Sequence, residues 1–232
     1  MPNTGARPVA DQLVSAIRAA LAAAADPTRA PDMQVYMKSA MPYLGVRVPD
    51  ARKITQSIVK GDPLSDLAEL EDAARTLWDG ATYREERYAA AALTGLPMAK
   101  GQLSLLPLHE HMAVTGAWWD HVDEIAHRIA DLVDTHPVET SEAVRRWITS
   151  DDMWLRRLSI LSQLGRRDRL DPDLLTEAIE PNMGDTEFFI RKAIGWALRE
   201  YAKVEPGWVR TFVAEREDQL SGLSKREALK HV

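Results

Sequence analysis

Cysteine is absent from the 232 residues of this chain. Its absence excludes disulfide bonds, thiolate nucleophiles and cysteine-based zinc sites, and it agrees with a reducing compartment. Long apolar runs are missing as well. The alanine-rich stretch 19–25 is much shorter than the roughly 20 residues that a membrane span requires, and no charged segment leads into an apolar core near the start. We therefore expect a soluble, cytoplasmic protein.

Basic residues are fewer than acidic ones. The chain has 29 Lys and Arg against 35 Asp and Glu, which gives a net charge of −6. This balance argues against a nonspecific nucleic-acid binder. The charge is uneven, because residues 154–232 carry 14 basic and 13 acidic side chains whereas residues 1–153 carry 15 and 22. A surface that binds nucleic acid would therefore be a local basic strip in the C-terminal half.

The hydrophobic pattern predicts an all-α protein. Apolar residues recur at intervals of three and four, as in the series Val122, Ile125, Ile129 and Leu132, and no segment alternates convincingly as a strand would. Prolines stand between these segments or in their first turns. No linker is evident, so a single domain over 1–232 is expected. The predicted helices are 8–25, 31–41, 49–60, 64–79, 83–95, 103–115, 118–135, 139–149, 152–165, 172–180, 187–204, 206–219 and 223–231.

A faint internal repeat accompanies the helices. Residues 154–157 align with 188–191 at an offset of 34; Asp123 precedes Arg157 by the same interval and follows Arg87 by 36 residues. Such a period is typical of HEAT-like or tetratricopeptide-like solenoids, in which the same turn of successive helices lines one concave side. Chance spacing of solvated helix faces explains the repetition about equally well.

One pair of residues has the chemistry of a cation site. Trp119 and Asp123 are four residues apart in a predicted helix and therefore share a face. An indole beside a carboxylate attracts a cation through both the ring and the formal charge. The more ordinary interpretation is that Trp119 packs in the core while Asp123 caps a helix or pairs with a neighbour.

A second candidate site surrounds Trp196. Its predicted helix also carries Arg191, Lys192, Arg199 and Lys203. An aromatic ring among basic side chains is typical of a surface that follows phosphates and stacks on bases. Core packing of Trp196 with surface charges around it is the default alternative.

No cofactor or metal is expected. His109 and His111 are two residues apart on a predicted helix, so their side chains diverge. The sequence contains no phosphate-binding loop, dinucleotide fingerprint or nucleophile elbow.

Several of these segments recur together in a known family. The longest is residues 187–203, EFFIRKAIGWALREYAK, and the others are residues 36–38, 43–49, 118–123, 150–157 and 223–231. They span nearly the whole chain in order and without large gaps. On these segments the chain resembles the AlkD family of DNA alkylpurine glycosylases.

The resemblance implies a right-handed solenoid of about six HEAT-like helix pairs with a concave DNA-binding groove. It also implies excision of N3- and N7-alkylated purines from duplex DNA, without base flipping, in base excision repair. A nucleoid-associated monomer in a bacterium is expected, with no cofactor. The alternative is a non-catalytic HEAT-repeat scaffold for DNA structures or a protein partner, since some relatives of the family lack the catalytic residues.

The resemblance also assigns roles to residues. Trp119, Asp123 and Trp196 match the catalytic positions, and Arg157 matches a groove arginine near the backbone of the lesion. The residues expected to bind DNA are Tyr36, Arg157, Arg191, Lys192, Arg199 and Lys203. Arg47 departs from the family pattern, where a polar uncharged residue is expected, and the acidity of the chain is a second departure. Both departures concern the DNA contacts rather than the catalytic set.

Overall fold

Helices are the only regular elements in residues 6–230, the part of the chain that this computed structural model describes. The all-α prediction is therefore confirmed, and the described residues form thirteen α-helices where thirteen were predicted. Their bounds are α1 Ala6–Ala23, α2 Ala30–Met37, α3 Val48–Gly61, α4 Leu67–Asp79, α5 Arg84–Leu93, α6 Leu106–Gly116, α7 Trp119–Thr135, α8 Pro137–Ile148, α9 Met153–Leu161, α10 Pro172–Ile179, α11 Phe188–Ala202, α12 Pro206–Glu215 and α13 Gly222–Ala228.

Most differences from the predicted bounds lie at helix ends. α2 was predicted to run to residue 41, but it ends at Met37 because Lys38 adopts a left-handed conformation with φ 49°. The Lys38 N–H bonds back to the carbonyls of Gln34 and Val35, which closes the last turn. α9 was predicted to run to residue 165, and it ends at Leu161.

The chain divides into two compact units, Met1–Leu108 and His109–Val232. In the first unit α1 packs against α3, α4 and α5. Its core includes Ile17, Leu70 and Trp78, which are inaccessible to solvent. The single domain expected from the sequence stays a prediction.

A buried carboxylate fixes a loop of the first unit. Glu85 is inaccessible to solvent and accepts the backbone N–H groups of Leu44, Gly45 and Val46 at 2.9–3.1 Å. Gly45 has φ +89°, and an added Cβ would lie 2.1 Å from the carbonyl oxygen of Asp26. The loop before α3 therefore requires both the carboxylate and a glycine.

In the second unit, the helices from α7 to α13 form two layers. In one layer α7, α9, α11 and α13 pack side by side in that order, and the other layer contains α8, α10 and α12. α8 contacts α7, α9 and α10, whereas α12 packs on α11. Arg216, at the end of α12, pairs with Glu180 at the end of α10 at 2.8 Å. Successive helix pairs are thus stacked.

Hydrogen bonds in the second unit follow the period of the sequence repeat. Arg157 bonds Asp123 and Asn182 bonds the Ile148 carbonyl, both across 34 residues, and Ser224 bonds the Arg191 carbonyl across 33. The faint repeat is therefore a structural repeat of stacked helices in this unit. The right hand, the concave groove and the count of six pairs stay predictions.

None of the described helices is both long enough and apolar enough to cross a membrane.

Candidate active site

The start of α7 carries the first candidate pair. Trp118 precedes the helix in an extended conformation, and Trp119 is its first residue. Trp119 and Asp123 are one turn apart and so share a face, as predicted. Both side chains are partly exposed, with 16% of the Asp123 side chain accessible. The carboxylate is therefore recessed but still reaches solvent.

Asp123 is held by a bidentate salt bridge from the next helix of the layer. Nε of Arg157 donates to Oδ1 of Asp123 at 2.9 Å, and Nη2 donates to Oδ2 at 3.0 Å. Nη1 of Arg157 donates to the backbone carbonyl of Phe189 at 2.5 Å. One guanidinium thus joins α7, α9 and α11. Only 3% of the Arg157 side chain is accessible, so its orientation is fixed by burial as well as by these bonds.

Burial raises the pKa of Asp123 from its ordinary value of 3.8 to about 6. Loss of hydration is the largest cause, because it disfavours the charged carboxylate. The charge and hydrogen bonds of Arg157 oppose the rise, and the nearby charge of Asp120 adds a little to it. Asp123 is therefore mostly ionised at neutral pH and becomes protonated in mild acid.

An aromatic cluster lies beside the salt bridge. The ring centroids of Trp118 and Trp154 are 6.0 Å apart, and that of Phe189 is 5.4 Å from Trp118 and 5.1 Å from Trp154. The Arg157 guanidinium carbon is 5.9 Å from the centroid of the Phe189 ring. The rings provide an apolar wall that helps to exclude water from the ion pair. Phe188 adds an edge contact at 5.4 Å and is 58% exposed.

The ordinary interpretation that Asp123 pairs with a neighbour is correct. Sequence reasoning did not identify Arg157 as that neighbour, and it did not find Phe189. The signal was present, because the 34-residue offset aligned Asp123 with Arg157, and equivalent positions of stacked repeats are neighbours. Opposite charges at aligned positions therefore predict a salt bridge between adjacent helices. No comparable signal marks Phe189, which contributes a backbone carbonyl as well as a ring.

Trp196 lies on the third helix of this layer, two turns after Phe189 in α11. Its side chain is partly exposed. Neither Trp119 nor Trp196 stacks on another aromatic ring within residues 6–230. The structure therefore brings Asp123 and Arg157 into direct contact, whereas Trp119 and Trp196 belong to the two helices that flank α9.

The predicted basic strip lies on one face of α11. Lys192, Trp196, Arg199 and Lys203 follow one another at intervals of four, three and four residues, which places them on the same face. Arg191 lies to one side of this face, and its Nε donates to the backbone carbonyl of Asp185 at 2.8 Å.

Acidic partners accompany the cations of this face. Glu227 of α13 binds Nζ of Lys192 at 2.7 Å and also binds Arg199. Lys203 binds Glu200 at 2.7 Å. The hydrogen bond from Lys192 is the main cause that lowers the pKa of Glu227. The strip is therefore far less positive than its sequence suggests.

The first unit contains the remaining predicted DNA contact. Tyr36 lies on α2 and is 75% exposed beside Val35, which is 77% exposed. Arg47 precedes α3 and is also exposed, with its Nε 3.3 Å from the Asp50 carboxylate. Two large apolar side chains and a cation are thus available for contact on this unit.

No group of three metal-ligating side chains occurs within the described part of the chain. His109 is buried, and loss of hydration lowers its pKa to about 3, so the ring is neutral.

Comparison with known proteins places the chain in a family. The model of the DNA alkylation repair enzyme family matches residues 17–232. A solved structure described as a predicted DNA alkylation repair enzyme from Enterococcus faecalis is 28% identical, with a TM-score of 0.79 over 90% of this chain and 96% of that one. The smu.31 structure from Streptococcus mutans UA159 shares the fold at 16% identity, with a TM-score of 0.60 over 80% and 92% of the two chains. No curated protein matches significantly. The chain belongs to the DNA alkylation repair enzyme family.

Proposed function

We propose that the chain is a DNA glycosylase that releases cationic N3- and N7-alkylated purines from duplex DNA. The observation that supports this most is the recessed Asp123 carboxylate. Both of its oxygens accept hydrogen bonds from Arg157, and it shares a helix face with the partly exposed Trp119. Family membership supplies the context of alkylation repair.

The leaving group explains why the site needs no strong acid. Alkylation at N3 or N7 makes the purine a cation, so the base leaves as a neutral molecule without protonation. Positive charge then moves onto the deoxyribose, which becomes an oxocarbenium-like species, as in other glycoside cleavage. A fixed negative charge near the sugar stabilises that state more than the ground state.

Asp123 is the residue that supplies this charge. A unit pair at a separation of about 4 Å is worth about 4 kcal/mol at an effective dielectric of 20. Each carboxylate oxygen accepts one hydrogen bond from Arg157 and retains a further acceptor site for the attacking water. Arg157 is then a positioning residue, because it fixes the carboxylate and partly offsets its charge.

The indoles of Trp119 and Trp196 add a weaker attraction for the sugar cation. By analogy with cation–π contacts, each contributes about 0.5–2 kcal/mol. Together with Asp123 this gives roughly four to six decades of acceleration at 1.36 kcal/mol per decade. Such an enhancement suffices only for a base that is already labile, so neutral damaged bases are poor substrates. A site that recognises the sugar cation also has no need to extrude the base.

DNA binding is assigned to the α11 face of the second unit, with Arg191 at its side, and to Tyr36 of the first. Arg157 was expected from the sequence to bind DNA, but it is given no DNA contact here because only 3% of its side chain is accessible. Lys192, Arg199 and Lys203 present the donors that phosphates require, and Trp196 lies among them. The protein is proposed to act as a monomer.

The test is single-turnover release of base from three duplexes, which contain 7-methylguanine, 3-methyladenine or neutral ethenoadenine. We expect release of the first two bases and not of the third.

Asp123→Asn should slow release by about two to three decades, from the 4 kcal/mol above and 1.36 kcal/mol per decade, while duplex affinity is retained. Glu124→Gln is the matched control, because it removes a neighbouring charge that pairs with Arg128 instead. Unchanged release by Asp123→Asn contradicts the mechanism. No release by the wild-type protein, with DNA binding intact, favours the scaffold alternative.

A further inference from the structure

Glu227 occupies an unusual position between the last two helices of the layer. α13 packs on α11 so closely that a Cβ added to Gly195 would lie 2.5 Å from the Cβ of Glu227 and 2.9 Å from the carbonyl oxygen of Ser224. The Glu227 side chain is 16% accessible. The glycine thus lets α13 place a carboxylate directly against α11.

From this position one carboxylate binds two cations. Oε1 of Glu227 is 2.7 Å from Nζ of Lys192, and Oε2 binds Nη1 of Arg199. The two cations are seven residues apart and share the face that carries Trp196. Their side chains remain 38% and 19% accessible, so both cations still reach solvent.

Two cations with one shared counter-charge attract DNA less than two free cations. The affinity of a protein for duplex DNA depends mainly on the phosphates that its Lys and Arg side chains neutralise. A carboxylate within hydrogen-bond distance takes up donors that a phosphate would use, and it repels the phosphate itself.

We propose that Glu227 competes with DNA phosphates for Lys192 and Arg199, and thereby lowers the affinity of the α11 face for undamaged duplex DNA. This inference rests on the proposed function in that it assigns DNA to this face. A repair enzyme has to leave intact DNA quickly in order to reach a lesion, and a carboxylate built into the binding face shortens each nonspecific encounter. The acidic balance of the whole chain acts in the same direction.

The test is a salt titration of binding to an undamaged duplex, measured by fluorescence anisotropy. Glu227→Gln should bind about three- to tenfold more tightly at low salt, and the slope of log affinity against log salt should steepen by about one. Glu180→Gln is the matched control. It removes the same charge from an ion pair with Arg216 in the other layer, so it reports the effect of net charge alone.

A double-mutant cycle separates competition from a general field effect. In a Lys192→Gln, Arg199→Gln background, Glu227→Gln should no longer tighten binding, because the cations that it would release are absent. The proposal is overturned if Glu227→Gln binds no more tightly than Glu180→Gln, or if the gain persists without the two cations.

Two further outcomes still test the proposal. If Glu227→Gln does not fold, Glu227→Asp keeps the charge but is too short to hold both cations, and it should give a smaller gain in the same direction. The binding test uses an undamaged duplex and is therefore independent of base release. If Glu227→Gln binds more tightly as expected but the wild-type protein releases no alkylated base, the proposed catalysis is refuted and the competition by Glu227 is not.

Discussion

The raised pKa of Asp123 predicts that activity falls in mild acid. With a pKa of about 6, the carboxylate is ionised in roughly 90% of molecules one pH unit above that value and in roughly 10% one unit below it. In the proposed mechanism only the ionised form stabilises the sugar cation. The single-turnover rate constant should therefore fall about tenfold per pH unit below the pKa and level off above it.

The assay is release of 7-methylguanine from a duplex between about pH 5 and 7.5 with enzyme in excess, after subtraction of spontaneous loss at each pH. Asp123→Asn is the control, because asparagine does not titrate; its residual rate should be low and flat. A wild-type profile without a fall in acid would show that Arg157 keeps Asp123 ionised throughout and would refute the role of burial. A rate that rises in acid would indicate a proton donor that the mechanism lacks.

The same pKa predicts the opposite trend for stability. The folded-state pKa lies above the ordinary value of 3.8, so ionisation of Asp123 costs the folded state free energy. The contribution of protonated Asp123 to the free energy of unfolding is fully present below about pH 4 and is lost as the pH rises through about 6. A rise of about two pH units corresponds to about 3 kcal/mol. Relative to Asp123→Asn, the wild-type protein should become more stable to urea as the pH is lowered through this window, and a constant difference would contradict the shift.

Three substitutions test the supporting structure. Arg157→Lys keeps the charge but not the fork, so it should lower the free energy of unfolding by about 1–3 kcal/mol and slow base release about tenfold; full activity would contradict its positioning role. Gly195→Ala should destabilise the protein by about 1–3 kcal/mol through overpacking against α13, whereas Gly207→Ala, with open space around it, should be neutral or stabilising in the same urea assay. Glu85→Gln should cost about 1–3 kcal/mol, because the loop amides lose a charged acceptor. Glu71→Gln, at a side chain that is 34% accessible, should change little, and equal losses would refute the importance of burial.

Periodicity alone was sufficient to predict the helices, and the reason is visible in the second unit. Ile125 and Ile129 recur at helical spacing and are inaccessible to solvent, so the pattern reports which side of α7 is covered. Helix ends were less predictable because they depend on single backbone conformations. Lys38 ends α2 in a left-handed conformation that lysine seldom adopts, and the neighbouring residues do not predict this conformation.

The candidate site was predictable in its residue types and only partly in its contacts. Helical spacing placed Trp119 beside Asp123, and the repeat aligned Asp123 with Arg157, which indicates a salt bridge between them. The burial and two-pronged geometry of that salt bridge depend on how closely α7 and α9 pack, which no local pattern encodes. The pairing of Glu227 with Lys192 also depends on distant helices, so the α11 strip was expected to be more basic than it is.

The location of the carboxylate follows from the repeat. Successive repeats place Asp123, Arg157 and Arg191 at equivalent turns of α7, α9 and α11. A basic residue in place of Asp123 would repel Arg157, and the buried Arg157 guanidinium would then lack a counter-charge. An aspartate there gives Arg157 its partner, and Arg191 bonds the backbone carbonyl of Asp185 instead. The charge proposed for catalysis is thus also the charge that permits Arg157 to be buried. For this reason Asp123→Asn should have two effects. It should slow base release, and above about pH 6 it should also reduce the number of charge-assisted hydrogen bonds that hold α7 to α9.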